Sequence, residues 1–287
     1  MYKLILTFLV LFLISCSSND TIEYDLEQSF YENNKYKDYE LFDRANKFII
    51  SEQFDLALIE LDKIEVLYPS SPYANKGILV NAYIHFLKKD YEKTRVLAEN
   101  YKKYYPGGNN MAYANYLEAM TYYVLIKKPN YSQTNSYKAL SKFNFILNAY
   151  PNSNYEIDII TKIQILQNNL AANNLNIAKF YMNKKNYNAA LLYLIDNFEN
   201  NNNTNSIQET LYHITKIYKY LEEIELAKNY AAILAYNFPN SHWYEISFNL
   251  INDIEMKKNK NSWFNKFNPI KIILINITED VEIQKID

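Results

Sequence analysis

The stretch Leu234-Ala235-Tyr236-Asn237-Phe238-Pro239-Asn240-Ser241-His242-Trp243 has two counterparts upstream. Lys63-Ile64-Glu65-Val66-Leu67-Tyr68-Pro69-Ser70-Ser71-Pro72-Tyr73 is one. Ile146-Leu147-Asn148-Ala149-Tyr150-Pro151-Asn152-Ser153-Asn154-Tyr155 is the other, and Tyr105-Pro106 marks a further copy. Self-similarity of this kind signals an internal repeat. Setting the register on the prolines aligns five copies. One column holds small residues: Ala57, Thr94, Ala139, Ala190 and Ala227. Four residues later come Leu61, Ala98, Phe143, Leu194 and Ala231. Twelve after the small residue come Pro69, Pro106, Pro151, Asn202 and Pro239. Three before it stand Phe54, Tyr91, Ser136, Tyr187 and Ile224.

These spacings describe a helix hairpin. Residues at i and i+4 share a helix face, and a small one lets a neighbouring helix come close. The proline stops the second helix, because it lacks an N–H and clashes with the preceding turn. Upstream of each small residue lies a first helix with its own small and aromatic positions: Ala45 and Phe48, Ala82 and His85, Ala178 and Tyr181, Thr215 and Tyr218. Ser51-Glu52-Gln53, Lys88-Lys89-Asp90 and Lys184-Lys185-Asn186 supply the turns. The pattern is that of the tetratricopeptide repeat, whose basic period is about 34 residues. It predicts an all-α chain, a right-handed solenoid of five such helix-turn-helix repeats over residues 38–256. The copies stand 37, 45, 51 and 37 residues apart. An inserted loop at 127–133, one long helix over 155–182 and an asparagine-rich turn at 200–205 account for the excess.

Composition agrees. Of 287 residues only Gly77, Gly107 and Gly108 are glycine, which excludes the glycine-rich phosphate loops and speaks against β-rich folds. Tyrosine is abundant, at 29 residues. The net charge of −2 and the lack of a basic run exclude a nucleic-acid face. The three histidines, His85, His213 and His242, fall in different repeats without metal-ligand spacing. No nucleophile elbow, zinc-protease helix or phosphate loop occurs. The sequence predicts no enzyme, no cofactor and no metal site.

The N-terminus carries an address. Lys3 is followed by an apolar run, Leu4 to Ile14, then Ser15 and Cys16, the one cysteine of the chain. A charged start, a short apolar stretch and a small residue form a secretory signal. The run is too short for the roughly 20 residues that span a bilayer. Leu13-Ile14-Ser15-Cys16 matches the bacterial lipobox, so residues 1–15 read as a signal peptide and Cys16 as the lipidated residue. Ser17 rather than aspartate after it favours the outer membrane. Residues 16–37 then form a lipidated linker; from Cys16 to the first repeat helix about 22 residues span on the order of 25 Å as a flexible chain.

Projecting the register onto the first helix of each repeat, which lines the concave side of such arrays, selects Tyr39, Phe42, Leu79, Tyr83, Phe86, Tyr113, Tyr116 and Tyr123 among others. An extended peptide ending in an aromatic residue could stack on them. Equally, the rings could pack between neighbouring helices.

In this order the motifs resemble the BamD family, the lipoprotein subunit of the machinery that inserts β-barrel proteins into the bacterial outer membrane. The resemblance rests on the lipobox, the five repeats, Tyr113-Ala114-Asn115-Tyr116-Leu117-Glu118-Ala119, Asn168-Asn169-Leu170-Ala171 leading to Ala178-Lys179-Phe180-Tyr181, the Ala235 to Tyr244 stretch, and Ser262-Trp263-Phe264. It implies an outer-membrane scaffold on the periplasmic face, with unfolded outer membrane proteins recognised by their C-terminal strand signal. It also implies docking of the C-terminal repeats onto a BamA-like barrel subunit, beside other lipoproteins of that complex. Tyr236, Asn237, His242 and Trp243 are the candidates for that contact, or else a structural turn in which Trp243 staples the next helix. Another periplasmic repeat lipoprotein, one coordinating cell-wall synthesis, is the alternative reading. The tail, residues 257–287, contains the apolar Trp263 to Ile277 stretch. Such a patch needs a cover: the array itself, a partner subunit or the membrane surface.

Overall fold

The computed structural model describes residues 36–256. The signal segment, Cys16, nearly all of the linker and the tail from 257 onward lie outside the described residues.

The described residues form eleven helices and no strand. They are α1 (Asp38–Ile50), α2 (Phe54–Leu67), α3 (Pro72–Leu87), α4 (Tyr91–Tyr104), α5 (Met111–Tyr123), α6 (Thr134–Ala149), α7 (Glu156–Asn183), α8 (Tyr187–Asn200), α9 (Ile207–Tyr220), α10 (Ile224–Asn237) and α11 (His242–Met256). The chain divides into two compact units at Thr121 and Tyr122, within the last turn of α5.

In the first unit α1 packs on α2, α2 on α3 and α3 on α4, and α1 also touches α3. Leu41, Ala45, Ala57, Leu61, Ile64, Ala74 and Ile84 form its larger core; Leu79, Tyr101 and Ala114 form a second. In the second unit α7 lies between α6 and α8, α8 meets α9, and α9 and α10 are both covered by α11. Leu175, Ala178, Ala190, Leu194, Ile214 and Ile217 fill its middle.

Both inner columns of the repeat are buried in every copy. Ala57, Thr94, Ala139, Ala190 and Ala227 expose nothing, and Leu61, Ala98, Phe143, Leu194 and Ala231 at most 3%. The first-helix small residues Ala45, Ala82, Ala178 and Thr215 expose nothing either. Small side chains at these sites set the distance between paired helices, and the larger ones four residues on fill what remains.

The turns within the hairpins share one backbone solution. Glu52, Lys89, Lys185 and Glu222 stand at the same register and all adopt φ between 58° and 64°. The amide after each reaches back to the carbonyl of the aromatic column: Gln53 to Phe48 at 2.8 Å, and Asp90 to His85, Asn186 to Tyr181 and Glu223 to Tyr218 at 2.9 Å. This is the Schellman closure, which favours glycine at the left-handed residue; here charged residues stand there. Asp90 and Asn186 then cap the next helix by accepting from the amides of Lys93 and Ala189.

Second helices end alike. Tyr68, Tyr105, Tyr150 and Phe238 all take φ near −130° and ψ of 51–62°, outside the helical region that a following proline disfavours. Asn201 adopts φ −133° without a following proline. Side chains hold it instead: Thr204 donates to the Asn201 carbonyl at 2.7 Å, Gln164 donates to the Asn203 carbonyl at 2.7 Å, and the amide of Asn205 donates to Asn168 Oδ1 at 2.9 Å.

Gln164 and Asn168 belong to α7, at 28 residues twice the length of α8. Along α7, Asn169 donates to the Lys127 carbonyl at 2.9 Å, Asn173 to the Pro129 carbonyl, and Asn176 to Asn130 Oδ1 at 2.7 Å. Those acceptors are the inserted loop. The long helix therefore fastens both irregular segments by amide side chains spaced one helical turn apart.

Candidate partner-binding surface

In the first unit the start of α1 is fixed from three sides. Tyr68 Oη donates to the Tyr36 carbonyl at 2.9 Å, Ser71 Oγ donates to Asp38 Oδ2 at 2.6 Å, and the Arg44 guanidinium lies over the Tyr36 ring at 4.4 Å. Arg44 also donates twice to buried Glu60 of α2, both at 3.1 Å. A planar fork on a carboxylate sets orientation as well as distance. The frame holds Tyr39 outward, 45% exposed, and Tyr83 of α3 is 38% exposed.

The other predicted ring positions divide. Phe42 lies 5.3 Å from Tyr73, and Phe86 lies 5.6 Å from Tyr91. Both are half-buried and spend part of their surface on packing within the unit. Leu79 is 3% exposed, in the core with Tyr101 and Ala114, and Tyr113 packs on that cluster. Leu79 thus contributes to the interior and offers no ligand a surface, because Tyr101 occupies the space beside it. Tyr116 is half-buried. In the second unit Tyr123 meets Phe143 edge-on at 5.9 Å, and Lys162 Nζ lies 5.3 Å from its ring.

At the far end of the second unit, Asn237 Nδ2 donates to its own helix, to the Ile233 carbonyl at 2.9 Å. Trp243 packs on Tyr212 at 5.3 Å and His213 at 6.2 Å, and belongs to the Ile207, Leu211 and Leu234 cluster. Ser241 caps α11 by accepting from the Tyr244 amide at 3.0 Å. Tyr236 and His242 remain exposed. The four residues therefore combine a structural turn, carried by Asn237 and Trp243, with two exposed side chains, of which His242 lies 5.9 Å from the Trp243 ring.

One polar cluster escaped the repeat reading. Lys179 of α7 pairs with Glu209 of α9, and Glu209 faces His213 Nε2 at 3.3 Å. Burial holds the His213 imidazole below its usual pKa; Glu209 pulls the other way and Lys179 and Lys216 add to the depression. The spacing of Glu209 and His213 is legible as i, i+4, but Lys179 comes from 30 residues upstream and carries no sequence signal. His85, in the aromatic column, is half-buried with Nδ1 3.4 Å from the Asp90 carboxylate.

Chemically, these surfaces offer rings, amides and cations: they can stack, donate hydrogen bonds and attract carboxylates. Among the described residues no group of three His, Cys, Asp or Glu side chains could hold a metal, and no helix is long and apolar enough to cross a membrane.

Fold and surface together define a helical-repeat protein of stacked hairpins. The chain belongs to the YfiO outer membrane lipoprotein family, whose sequence profile matches residues 34–234. It is 29% identical over 215 residues to "Outer membrane protein assembly factor BamD" of Rickettsia prowazekii, covering 75% of this chain and 86% of that one. The protein of the same name from Caulobacter vibrioides is 29% identical over 191 residues, covering 67% and 63%. That from Neisseria gonorrhoeae is 26% identical over 254 residues, covering 84% and 93%. A solved structure of PilW, a type IV pilus biogenesis factor, is similar at TM-score 0.34 and 15% identity, covering 74% of this chain and 98% of that one. A superposition that loose bears on neither fold detail nor function.

Proposed function

We infer that this chain is an outer membrane protein assembly factor: a lipid-anchored scaffold on the periplasmic face of the outer membrane that helps β-barrel proteins fold and insert. The observation that carries this reading is the family match across residues 34–234, with relatives named as assembly factors that align over most of the repeat array. Cys16 carries the lipid. It fixes compartment and leaves orientation to partners: a BamA-like barrel subunit, met through Tyr236 and His242, and other lipoproteins of the complex. Tyr39, Tyr83 and Tyr116 receive unfolded outer membrane protein segments by ring stacking. Each ring contact is worth only about 0.5–1.5 kcal/mol beyond its buried area, so affinity builds from several contacts.

Affinity purification of the lipidated chain from membranes tests the assembly reading. Recovery of a β-barrel protein with periplasmic domains is the expected result; recovery of cell-wall synthases without it would overturn the reading in favour of the other scaffold class. The ring surface has its own test. Tyr83→Ala combined with Tyr116→Ala should reduce crosslinking to a C-terminal barrel-signal peptide at unchanged thermal stability, and undiminished crosslinking would remove these residues from the site.

A further inference from the structure

On the second unit an open cavity of about 260 Å³ lies between the end of α7, the start of α8, the end of α9 and α11. Met182, Tyr187, Lys216, Ile217, Tyr220 and Leu250 line it. Its wall is chiefly apolar, and it lies open: Tyr220 is 62% exposed and its neighbour Leu221 39%. Tyr187 and Tyr220 meet at 4.5 Å between ring centroids and form one side as a preformed aromatic wall. Lys219 is drawn across to α11, where Nζ donates to the Leu250 carbonyl at 2.7 Å. That bond holds the α11 wall in place. An apolar cavity of 150 Å³ suffices for benzene, so this one admits an indole.

We propose that this cavity is an intramolecular docking site for the aromatic pair Trp263-Phe264 of the chain's own tail. Two observations select that occupant. The first is reach. Leu250 stands six residues before Met256, where α11 ends, about 9 Å along the helix at 1.5 Å per residue. The seven residues from 257 to 263 would span up to about 24 Å if extended. Trp263-Phe264 is thus the first bulky apolar pair after α11, and it is tethered within range. The second is effective concentration. A tether this short presents the segment at around millimolar levels, which a partner with the same chemistry must exceed.

Fluorine NMR of the full chain grown with 5-fluorotryptophan tests this. The chain has two tryptophans, so two resonances appear, and Trp263→Phe assigns them. The Trp263 signal should show little shift between H₂O and D₂O. It should move to the position and full isotope shift of a free peptide spanning 257–269 in Tyr220→Ala. Leu250→Ala, from the opposite wall, should do the same, whereas Tyr236→Ala, exposed on the same unit away from the cavity, should leave it unchanged. Far-UV circular dichroism checks that each variant keeps its helices. A Trp263 signal already identical to the peptide in the parent chain overturns the proposal. So does shelter that vanishes on dilution, which would place the ring in a second copy, and shelter that both cavity variants leave intact.

Discussion

Replacing Gly108 by alanine should destabilise the first unit through one named contact. The residue lies in the loop after α4, with its amide donating to the Tyr105 carbonyl at 2.9 Å and its carbonyl accepting from the Met111 amide at 3.2 Å. A methyl group there would stand 2.5 Å from Tyr101 Oη, 3.1 Å from the Tyr105 carbonyl oxygen and 3.3 Å from Tyr101 Cζ. The Tyr101 ring cannot swing aside. It is fully buried, 5.4 Å from the Tyr105 ring, and packed on Leu79 and Ala114. Overpacking of this size costs about 1–3 kcal/mol. The smaller entropy of an unfolded alanine returns part of that, about 0.4–1 kcal/mol. A net loss of about 1–1.5 kcal/mol corresponds to a fall of roughly 2–6 °C in Tm for a chain this long. The Tyr101 hydroxyl finds no hydrogen-bond partner, so Tyr101→Phe removes the obstructing atom at little or no cost. In that background Gly108→Ala should cost less than about 0.5 kcal/mol, a coupling of about 1 kcal/mol between adjacent sites. Thermal melts of the four proteins, followed by circular dichroism, complete the cycle. An equal cost in both backgrounds would refute the steric argument and place the requirement in the backbone of the loop.

Gly77→Ala should act oppositely: it sits inside α3, where its new methyl would meet only Leu61 Cδ2 at an ordinary 3.7 Å, and the helix should gain about 0.5–1 kcal/mol, read as a higher Tm. His213 should make stability pH-dependent. Its folded pKa lies below the unfolded value near 6.5, so the unfolded chain takes up the proton first; this contribution is absent above pH 6.5 and subtracts stability as pH falls below it, by up to about 1.4 kcal/mol per unit until the folded pKa is reached. Urea titrations from pH 7.5 down to 5 should show a shallower decline in His213→Phe. Leu194→Ala, at a site with no exposure between α7 and α9, should cost about 2–5 kcal/mol. Asn173→Ala should release the inserted loop at Pro129 for about 1 kcal/mol, with faster proteolysis between residues 127 and 133 as the readout.

The hairpins were legible because prolines and small residues recur at a fixed spacing. Pro69, Pro106, Pro151 and Pro239 each come just after a helix has ended, and Ala57, Ala190 and Ala227 are small because another helix crosses there. The long helix falls within a residue of where the spacing put it, and the inserted loop ends where expected but starts three residues earlier, after Tyr123. The ring surface was harder to read. A first helix in a stacked array is covered on more than one side, so register alone assigned Leu79 to the outside, whereas the loop bearing Tyr105 and Gly108 brings the Tyr101 core against it. Phe42 and Phe86 found aromatic neighbours at Tyr73 and Tyr91 that lie on other helices. That Asn169, Asn173 and Asn176 hold a loop more than 40 residues upstream has no signature in local sequence, because the contact is made by amides that any solvated helix could carry.

The recurring left-handed residue at Glu52, Lys89, Lys185 and Glu222 has a consequence for how such a chain can diverge. Each hairpin is closed by main-chain atoms, and the side chain at that residue is exposed. The same fold would therefore tolerate acid, base or amide there with little difference, while a β-branched residue would be excluded by its crowded Cβ. Saturation mutagenesis of the four positions should show the same narrow set of forbidden residues and a wide set of neutral ones. Each hairpin tip is then a place where charge can drift between lineages, and where contacts with partners can be retuned, while the helices behind it stay as they are.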